Sequence, residues 1–355
     1  MCLKRDFEGA VGWVNPPSAC DVVPQSPPPP PPSVSPSKLL IKLSQRLFNR
    51  VDPQAEFVAA LTHPQAFPQA ILWTQPRPAD HPFALAPTLP WQPPGVDRLL
   101  PDQRPGQHPL HQAGAYYCLD MASVFAAAVL EAIPHPVGLV LDLCAAPGGK
   151  SLLAWQQLQP RQLWCNEVIR KRMRILIANL KRCGAMDSLV FNVDPQIWAE
   201  HLPQSASVVL VDAPCSGQSL LAKGDRALGC FHPVTIKKNA SRQKRILGHA
   251  AQTVAGGGYL AYMTCTFSLE ENEQVVAWLL KHFPQFEAVA VPSLADHASA
   301  LADFPCYRLW PQSGLGAGGF TALFRNREDA PAAADSVALP PALASQALYL
   351  YPDAP

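Results

Sequence analysis

The chain reads as an α/β protein: a mostly parallel sheet with helices on both faces. Three observations predict it. Between residues 113 and 327, short apolar runs alternate with amphipathic stretches, the pattern of strands joined by helical crossovers. The runs are continuously apolar rather than alternating, as in strands covered on both faces. Turn-forming and reactive residues recur where those runs end, and an open parallel sheet gathers its ligands outside the carboxyl ends of its strands.

Strands are expected at 137–143, 161–165, 189–193, 207–211, 259–264 and 286–291. Between the fourth and fifth, Ile236, Ala240, Leu247, Ala251 and Val254 form one stripe of a long helix. Lys237, Lys238, Arg242, Lys244 and Arg245 fall mostly elsewhere, which gives that crossover a basic outer face. After Cys265, Ser268 and Glu271 have the spacing of a capping box, and Val275, Val276, Leu279, Leu280 and Phe283 supply the buried side of the next helix. Cys265 is therefore expected in a strand-to-helix loop, ahead of a helix N-terminus whose dipole favours a thiolate. Glu270, Glu271 and Glu273 in that first turn would oppose it.

Four zones follow from composition. Residues 1–37, with an unbroken proline run from Pro27 to Pro32, should form an extended or disordered proline-rich tail. Residues 38–112 form a small N-terminal accessory segment, with one helix at 39–51 followed by proline-broken sequence. Residues 113–327 form the α/β domain, and 328–355 an Ala/Pro-rich, loosely held C-terminal tail. With 355 residues, 48% of them hydrophobic, an ample core is available. A formal net charge of +1 neither demands nor excludes nucleic acid. Ten cysteines scattered without close pairs argue against a disulfide scaffold or a metal centre and suit a reducing cytoplasm. No run approaches the roughly 20 apolar residues of a membrane span, and MCLKRDFEGA lacks a secretory signal. A soluble, cytoplasmic monomer without membrane or metal partners is expected.

The chemistry collects at strand ends. LDLCAAPGGK, residues 141–150, follows the first strand, and its glycines let backbone amides approach a ligand at the start of a helix. Its spacing is neither G-x-G-x-x-G nor that of a P-loop. Glu167, after the second strand, stands where an acid reaches a ribose, so a nucleoside-containing cofactor is implied. Asp194 ends the third strand and Asp212 the fourth, as candidates for adenine and for the reacting group. Two thiols take matching places: Cys215 in VVLVDAPCSG and Cys265 in YMTCTFSLEENE. The remaining cysteines read as inert.

DLCAAPGGK, DAPCSG and TCTFSLEENE together resemble the Sun-type (Fmu/nucleolar-protein) family of RNA cytosine-5 methyltransferases, over residues 114–324. The resemblance implies a class I methyltransferase Rossmann-like sheet with S-adenosyl-L-methionine as cofactor and RNA as substrate. It assigns the cofactor site to Cys144, Ala145, Ala146, Pro147, Gly148, Gly149, Lys150, Glu167, Asp194 and Asp212, and Arg172 matches an arginine common after the acid. It makes Cys265 the nucleophile, with Cys215 assisting release and Asp212 and Lys150 orienting the base near nitrogen 3. Carbon 5 of cytosine is a poor nucleophile, so a thiolate must first add to carbon 6, and covalent catalysis divides one hard step into easier ones. The residues alone do not say which thiol does which job, since DNA cytosine-5 methyltransferases use the Pro-Cys thiol instead. Leu119 stands where the family often has glutamine, and Pro311-Gln312 replaces a Pro-His pair, while Gly319-Phe320 remains. Residues 170–174 and 237–245, with Lys223, Arg226 and His232, are candidates for phosphate contacts, and an unstacked base in single-stranded or loop RNA suits the chemistry. Ribosomal RNA is the first expectation and transfer RNA the second. A catalytically silent RNA-binding or ribosome-assembly factor on the same fold is the alternative of a different class.

Overall fold

The computed structural model describes residues 36–328 and 336–351, so the proline-rich tail expected at 1–37 lies almost wholly outside the described residues. Helix α1 (Lys38–Leu47) starts at Ser37, whose hydroxyl oxygen accepts the Leu40 amide at 3.2 Å. Phe48 is extended, so the single helix expected over 39–51 is two, the second being α2 (Val51–Thr62). Pro53 made that stretch read as broken. It sits in the first turn of α2, where a missing amide leaves no helical bond unmade. The pair buries Leu40, Leu43, Leu47, Phe57 and Leu61 against Phe267 and Ala317 of the distant C-terminal half.

Strands β1 (Gln69–Trp73), β2 (Val96–Arg98) and β3 (Tyr116–Asp120) make a small antiparallel sheet in the order β2-β1-β3, with the short α3 (Pro109–Gln112) between the last two. Gln69 pairs with Asp120 and Trp73 with Tyr116. The boundary expected between 112 and 113 therefore runs through a single sheet. Asp120 ends β3 and caps α4 (Met121–Ala127), accepting the Ser123 amide at 2.7 Å.

The main sheet follows as β4 (Leu139–Asp142), α5 (Gly149–Leu158), β5 (Gln162–Asn166), α6 (Arg170–Arg182), β6 (Ser188–Phe191), α7 (Pro195–His201), β7 (Ala206–Asp212), α8 (Pro233–Thr253), β8 (Val254–Thr264), α9 (Glu273–His282), β9 (Phe286–Ala288), β10 (Tyr307–Leu309), β11 (Gly319–Asn326), α10 (Pro341–Ala344) and β12 (Ala347–Tyr351). Among the described residues the order is β10-β11-β8-β7-β4-β5-β6-β12, with β9 beside β11. Strands β4 to β8 run parallel, and β12, β11 and β10 pair antiparallel at the two flanks. All six expected strands are present with ends shifted by a few residues.

Side chains alternate across the sheet, so each strand feeds two cores. Val140, Val208, Leu210, Ala261 and Met263 enter one. Leu139, Leu141, Val209, Val211, Leu260 and Tyr262 enter the other, together with Leu247 and Ala251 of α8. The chain steps outward through β5 and β6, then returns to place β7 on the opposite side of β4. That reversal opens a crevice at the carboxyl ends of β4 and β7.

The described part of the C-terminal stretch is not a loosely held tail. Val337 exchanges hydrogen bonds of 2.7 and 3.1 Å with the Gln162 side chain, Leu343 is fully buried, and β12 pairs with β6. An unpaired edge strand offers a row of free backbone groups, and β12 covers it. No described helix is long and apolar enough to cross a membrane, and no described cluster of His, Cys, Asp or Glu could hold a metal ion.

Candidate active site

The loop after β4 is ordered by a residue that the sequence motifs did not single out. Asp142, fully buried, accepts the Cys144 amide at 3.1 Å and the Ser151 hydroxyl at 2.7 Å, tying the loop to α5. Burial pushes its carboxyl up to about 7. Gly148 has φ +113°, and a Cβ on Gly149 would lie 2.8 Å from Leu119 Cδ2. Position 148 thus needs glycine for its φ, and Gly149 lets the loop pack closely against Leu119 and Tyr117. Glu167, buried at the end of β5, accepts the Ile169 amide at 2.8 Å and faces Arg172 at 3.2 Å. Arg172 also donates to the Ala146 carbonyl, so one guanidinium joins the acid to the glycine loop. Burial, and then the nearby acids, push the Cys144 thiol well up and leave it protonated. Val168 and Ile169, next to Glu167 in the chain, are half-exposed apolar side chains, which sequence reasoning missed.

Lys150 and Asp212 meet across the crevice at 2.7 Å. Burial alone would lower the lysine, but the Asp212 carboxylate outweighs it and holds the ammonium above its ordinary range. The two thiols lie 3.2 Å apart, Cys265 exposed and Cys215 half-buried. They are within hydrogen-bond reach of each other. Cys265 is held below an ordinary thiol, chiefly because Cys215 donates to it, and the Lys150 ammonium adds to this. Cys215 is pushed well up, first by that donation, then by burial and by the Cys265 and Glu271 charges.

The expected activation by a helix dipole is not what the structure shows. Helix α9 begins only at Glu273, with Asn272 as its N-cap, so Cys265 is not at a helix N-terminus. The Ser268–Glu271 capping box is absent too: Ser268 donates to Glu270, and the Glu271 side chain accepts from Ser216. Nor do all three acids face the thiolate unpaired; two of them are held by arginines. Glu270 pairs with Arg46 at 2.8 Å and Glu273 with the buried Arg308 at 2.6 Å. Two candidate residues are engaged elsewhere: Asp194 caps α7 and pairs with Arg245 at 2.9 Å, and Lys223 pairs with Asp120. Lys150, Asp212, Cys215 and Cys265 do converge, as do Ala146, Glu167 and Arg172. Asp142 was legible only as the first residue of DLCAAPGGK.

A sheet reversing beside β4, a glycine turn after that strand, an acid after the next and reactive groups beyond β7 define a class I methyltransferase fold with a thiol-bearing site. The description "16S rRNA methyltransferase RsmB/F" matches residues 127–325, and the chain belongs to that family. It is 32% identical over 230 residues to the ribosomal RNA small subunit methyltransferase F of Cronobacter sakazakii, covering 63% of this chain and 48% of that protein. The corresponding Klebsiella pneumoniae protein is 33% identical over 219 residues, 61% and 46% of the two chains. The chain spans about half the length of the curated relatives it matches. In fold it is similar to a methyltransferase homologue from Pyrococcus horikoshii, with TM-score 0.65, 22% identity and coverage of 82% of this chain and 95% of that one. It is likewise similar to NSun6 of the same organism, solved with SFG, with TM-score 0.63, 19% identity and coverage of 82% and 99%.

Proposed function

We propose that the chain is an S-adenosyl-L-methionine-dependent RNA cytosine-5 methyltransferase acting in the cytoplasm, with ribosomal RNA as its substrate. The observation that carries this reading is the 3.2 Å thiol pair beside the Lys150–Asp212 ion pair. A silent RNA-binding factor has no need of a lowered thiol next to a raised one.

The residues present fit such a cofactor: a glycine turn after β4 whose Gly148 adopts a positive φ, a buried acid just after β5 at the ribose position, and an apolar pair beside it. Residues 144–150, Glu167 and Asp212 would hold it, and it would supply an electrophilic methyl group. Cys265 adds to carbon 6 of the cytosine, and the electron pair displaced from the ring double bond makes carbon 5 nucleophilic. Asp212, kept in place by Lys150, faces the ring near nitrogen 3. Once the Cys265 charge is consumed in the carbon–sulfur bond, the largest cause raising Cys215 is gone. Cys215 then loses its proton to solvent and takes the one on carbon 5. That electron pair restores the ring double bond and expels Cys265 as a thiolate. Lys237, Lys238 and Arg242 on the exposed face of α8 carry no ion pair among the described residues and remain available to phosphates.

The test uses labelled S-adenosylmethionine with small-subunit ribosomal RNA lacking the modification. The unaltered chain should label the RNA, Cys265→Ala should abolish labelling, and Cys215→Ala should accumulate a denaturant-resistant protein–RNA adduct. An unaltered chain that labels no RNA sinks the enzyme reading. An adduct trapped by Cys265→Ala instead exchanges the two thiol roles.

A further inference from the structure

One buried acid has no part in the chemistry so far. Glu271 is fully buried, and no lysine or arginine pairs with it among the described residues. Its carboxylate accepts the Ser216 amide at 2.8 Å, the Ser216 hydroxyl at 2.6 Å and the Gln243 side-chain amide at 3.1 Å. Thr266 in turn reaches Ser216, oxygen to oxygen, at 2.7 Å, and Tyr262 donates to the Glu271 carbonyl at 2.6 Å. The residue after each reactive cysteine, Ser216 after Cys215 and Thr266 after Cys265, is thereby drawn into one hydrogen-bonded chain ending on Glu271.

We propose that Glu271 is a positioning residue that sets the register of the two cysteine loops and makes two chemically identical thiols unequal. A thiol and a thiolate in contact share one proton, and the surrounding charges decide which sulfur keeps it. The groups facing the pair are asymmetric. The Lys150 cation acts on Cys265, while Glu271 acts on Cys215; burial pushes the Glu271 carboxyl up, and the bonds from Ser216 and Gln243 favour its ionised form. Asp212 opposes the Cys265 anion but is paired with Lys150, and Glu270, adjacent to Glu271, is paired with Arg46. Tyr262, fully buried, is held neutral first by burial. A negative charge behind Cys215 keeps its proton on it while Cys265 attacks. It also makes the Cys215 thiolate, once formed, a stronger base for the carbon-5 proton. A buried carboxylate without a cation costs stability, and its place between the two thiol loops gives that cost a catalytic reason. The inference rests on the reading that both thiols act on the base.

The test reads the thiols in the whole chain without RNA, so it stands or falls separately from that reading. Iodoacetamide modification of each cysteine is followed against pH by peptide mass spectrometry. In the unaltered chain Cys265 should react at lower pH than Cys215. Glu271→Gln keeps the shape and removes the charge, so the Cys215 profile should move down by about one pH unit, a tenfold gain in its thiolate near neutrality. Ser216→Ala removes the two hydroxyl bonds, to Glu271 and to Thr266, but keeps the amide bond and the charge, so it should leave the order and spacing of the two profiles intact. With RNA supplied, Glu271→Gln should lower kcat about tenfold with KM little changed. Should Glu271→Gln fail to fold by thermal melting, Glu271→Asp decides: preserved inequality supports the proposal and lost inequality overturns it. Unchanged profiles in Glu271→Gln, or an equal Cys215 shift in Ser216→Ala, also overturn it. A chain that methylates no RNA yet shows the Glu271→Gln shift would defeat the enzyme reading alone.

Discussion

Lys150 serves two anions at once. It is bonded to Asp212 at 2.7 Å, and its field lowers the Cys265 thiol. If Cys265 is the nucleophile, as proposed, it acts as the thiolate, so methyl transfer should rise with pH through the Cys265 pKa and level off above it. Replacing the ammonium by an apolar chain of similar length, Lys150→Met, removes the cation while Cys215 still donates. The Cys265 pKa then moves up, the ascending limb of the pH–rate profile moves to higher pH, and a displacement of about one pH unit lowers the rate near neutrality about tenfold. Single-turnover rates across the neutral-to-alkaline range read this directly. An ascending limb that stays in place in Lys150→Met would show that the lysine acts only on Asp212. The identities of both thiols were legible in Pro-Cys-Ser-Gly and Thr-Cys-Thr, but the source of activation was not. Cys215 and Cys265 become neighbours only because β7 and β8 pair in parallel, with Asp212 opposite Met263, and no local spacing announces that.

The loop that carries Cys265 is held from below by elements far away in the chain. Phe57 of α2 meets Phe267 edge-on at 5.0 Å, and Trp310 stacks over the same ring at 5.9 Å. Arg308 on β10 donates to Glu273 through two bonds of 2.6 Å and to the Phe267 carbonyl at 3.1 Å. With side chains only 1% and 5% exposed, this ion pair is desolvated, so removing one partner strands a buried charge. Arg308→Met should cost about 3–5 kcal/mol in urea denaturation, and Arg308→Met with Glu273→Leu should recover most of it. A single variant that loses under about 1 kcal/mol would place the pair among ordinary surface bridges. These supports were hidden for physical reasons. Pro53 disguised α2, the three residues of β10 are too few to show a period, and β12 lies within Ala- and Pro-rich sequence that reads as a tail. The parallel strands were legible because burial on both faces makes each of them continuously apolar.

Across the whole molecule, a sheet between two cores presents its reactive ends at one crevice, while a net charge of +1 supplies little long-range attraction for RNA. Affinity must therefore come from local clusters. Of the basic residues expected to meet phosphate, the structure removes some from consideration: Lys223 is bound to Asp120 and Arg245 to Asp194, while Arg172 serves Glu167. Lys237, Lys238 and Arg242 project from the exposed side of α8, the helix whose Gln243 reaches Glu271 and the Pro214 carbonyl beside Cys215. A cation on that face lies on the same rigid element as the support of the site. Each phosphate neutralised releases about 0.7 counterion on single-stranded RNA, so three such contacts contribute a slope of about −2 to the logarithm of affinity against the logarithm of salt. The triple variant Lys237→Ala, Lys238→Ala, Arg242→Ala should bind an unstructured RNA more weakly at low salt and show a slope shallower by about 2, with its urea midpoint little changed because none of the three is buried. Fluorescence anisotropy over a salt series measures it. A slope identical to that of the unaltered chain would move the RNA path off α8 and onto the basic face of α6, where Arg170, Lys171 and Arg174 are exposed.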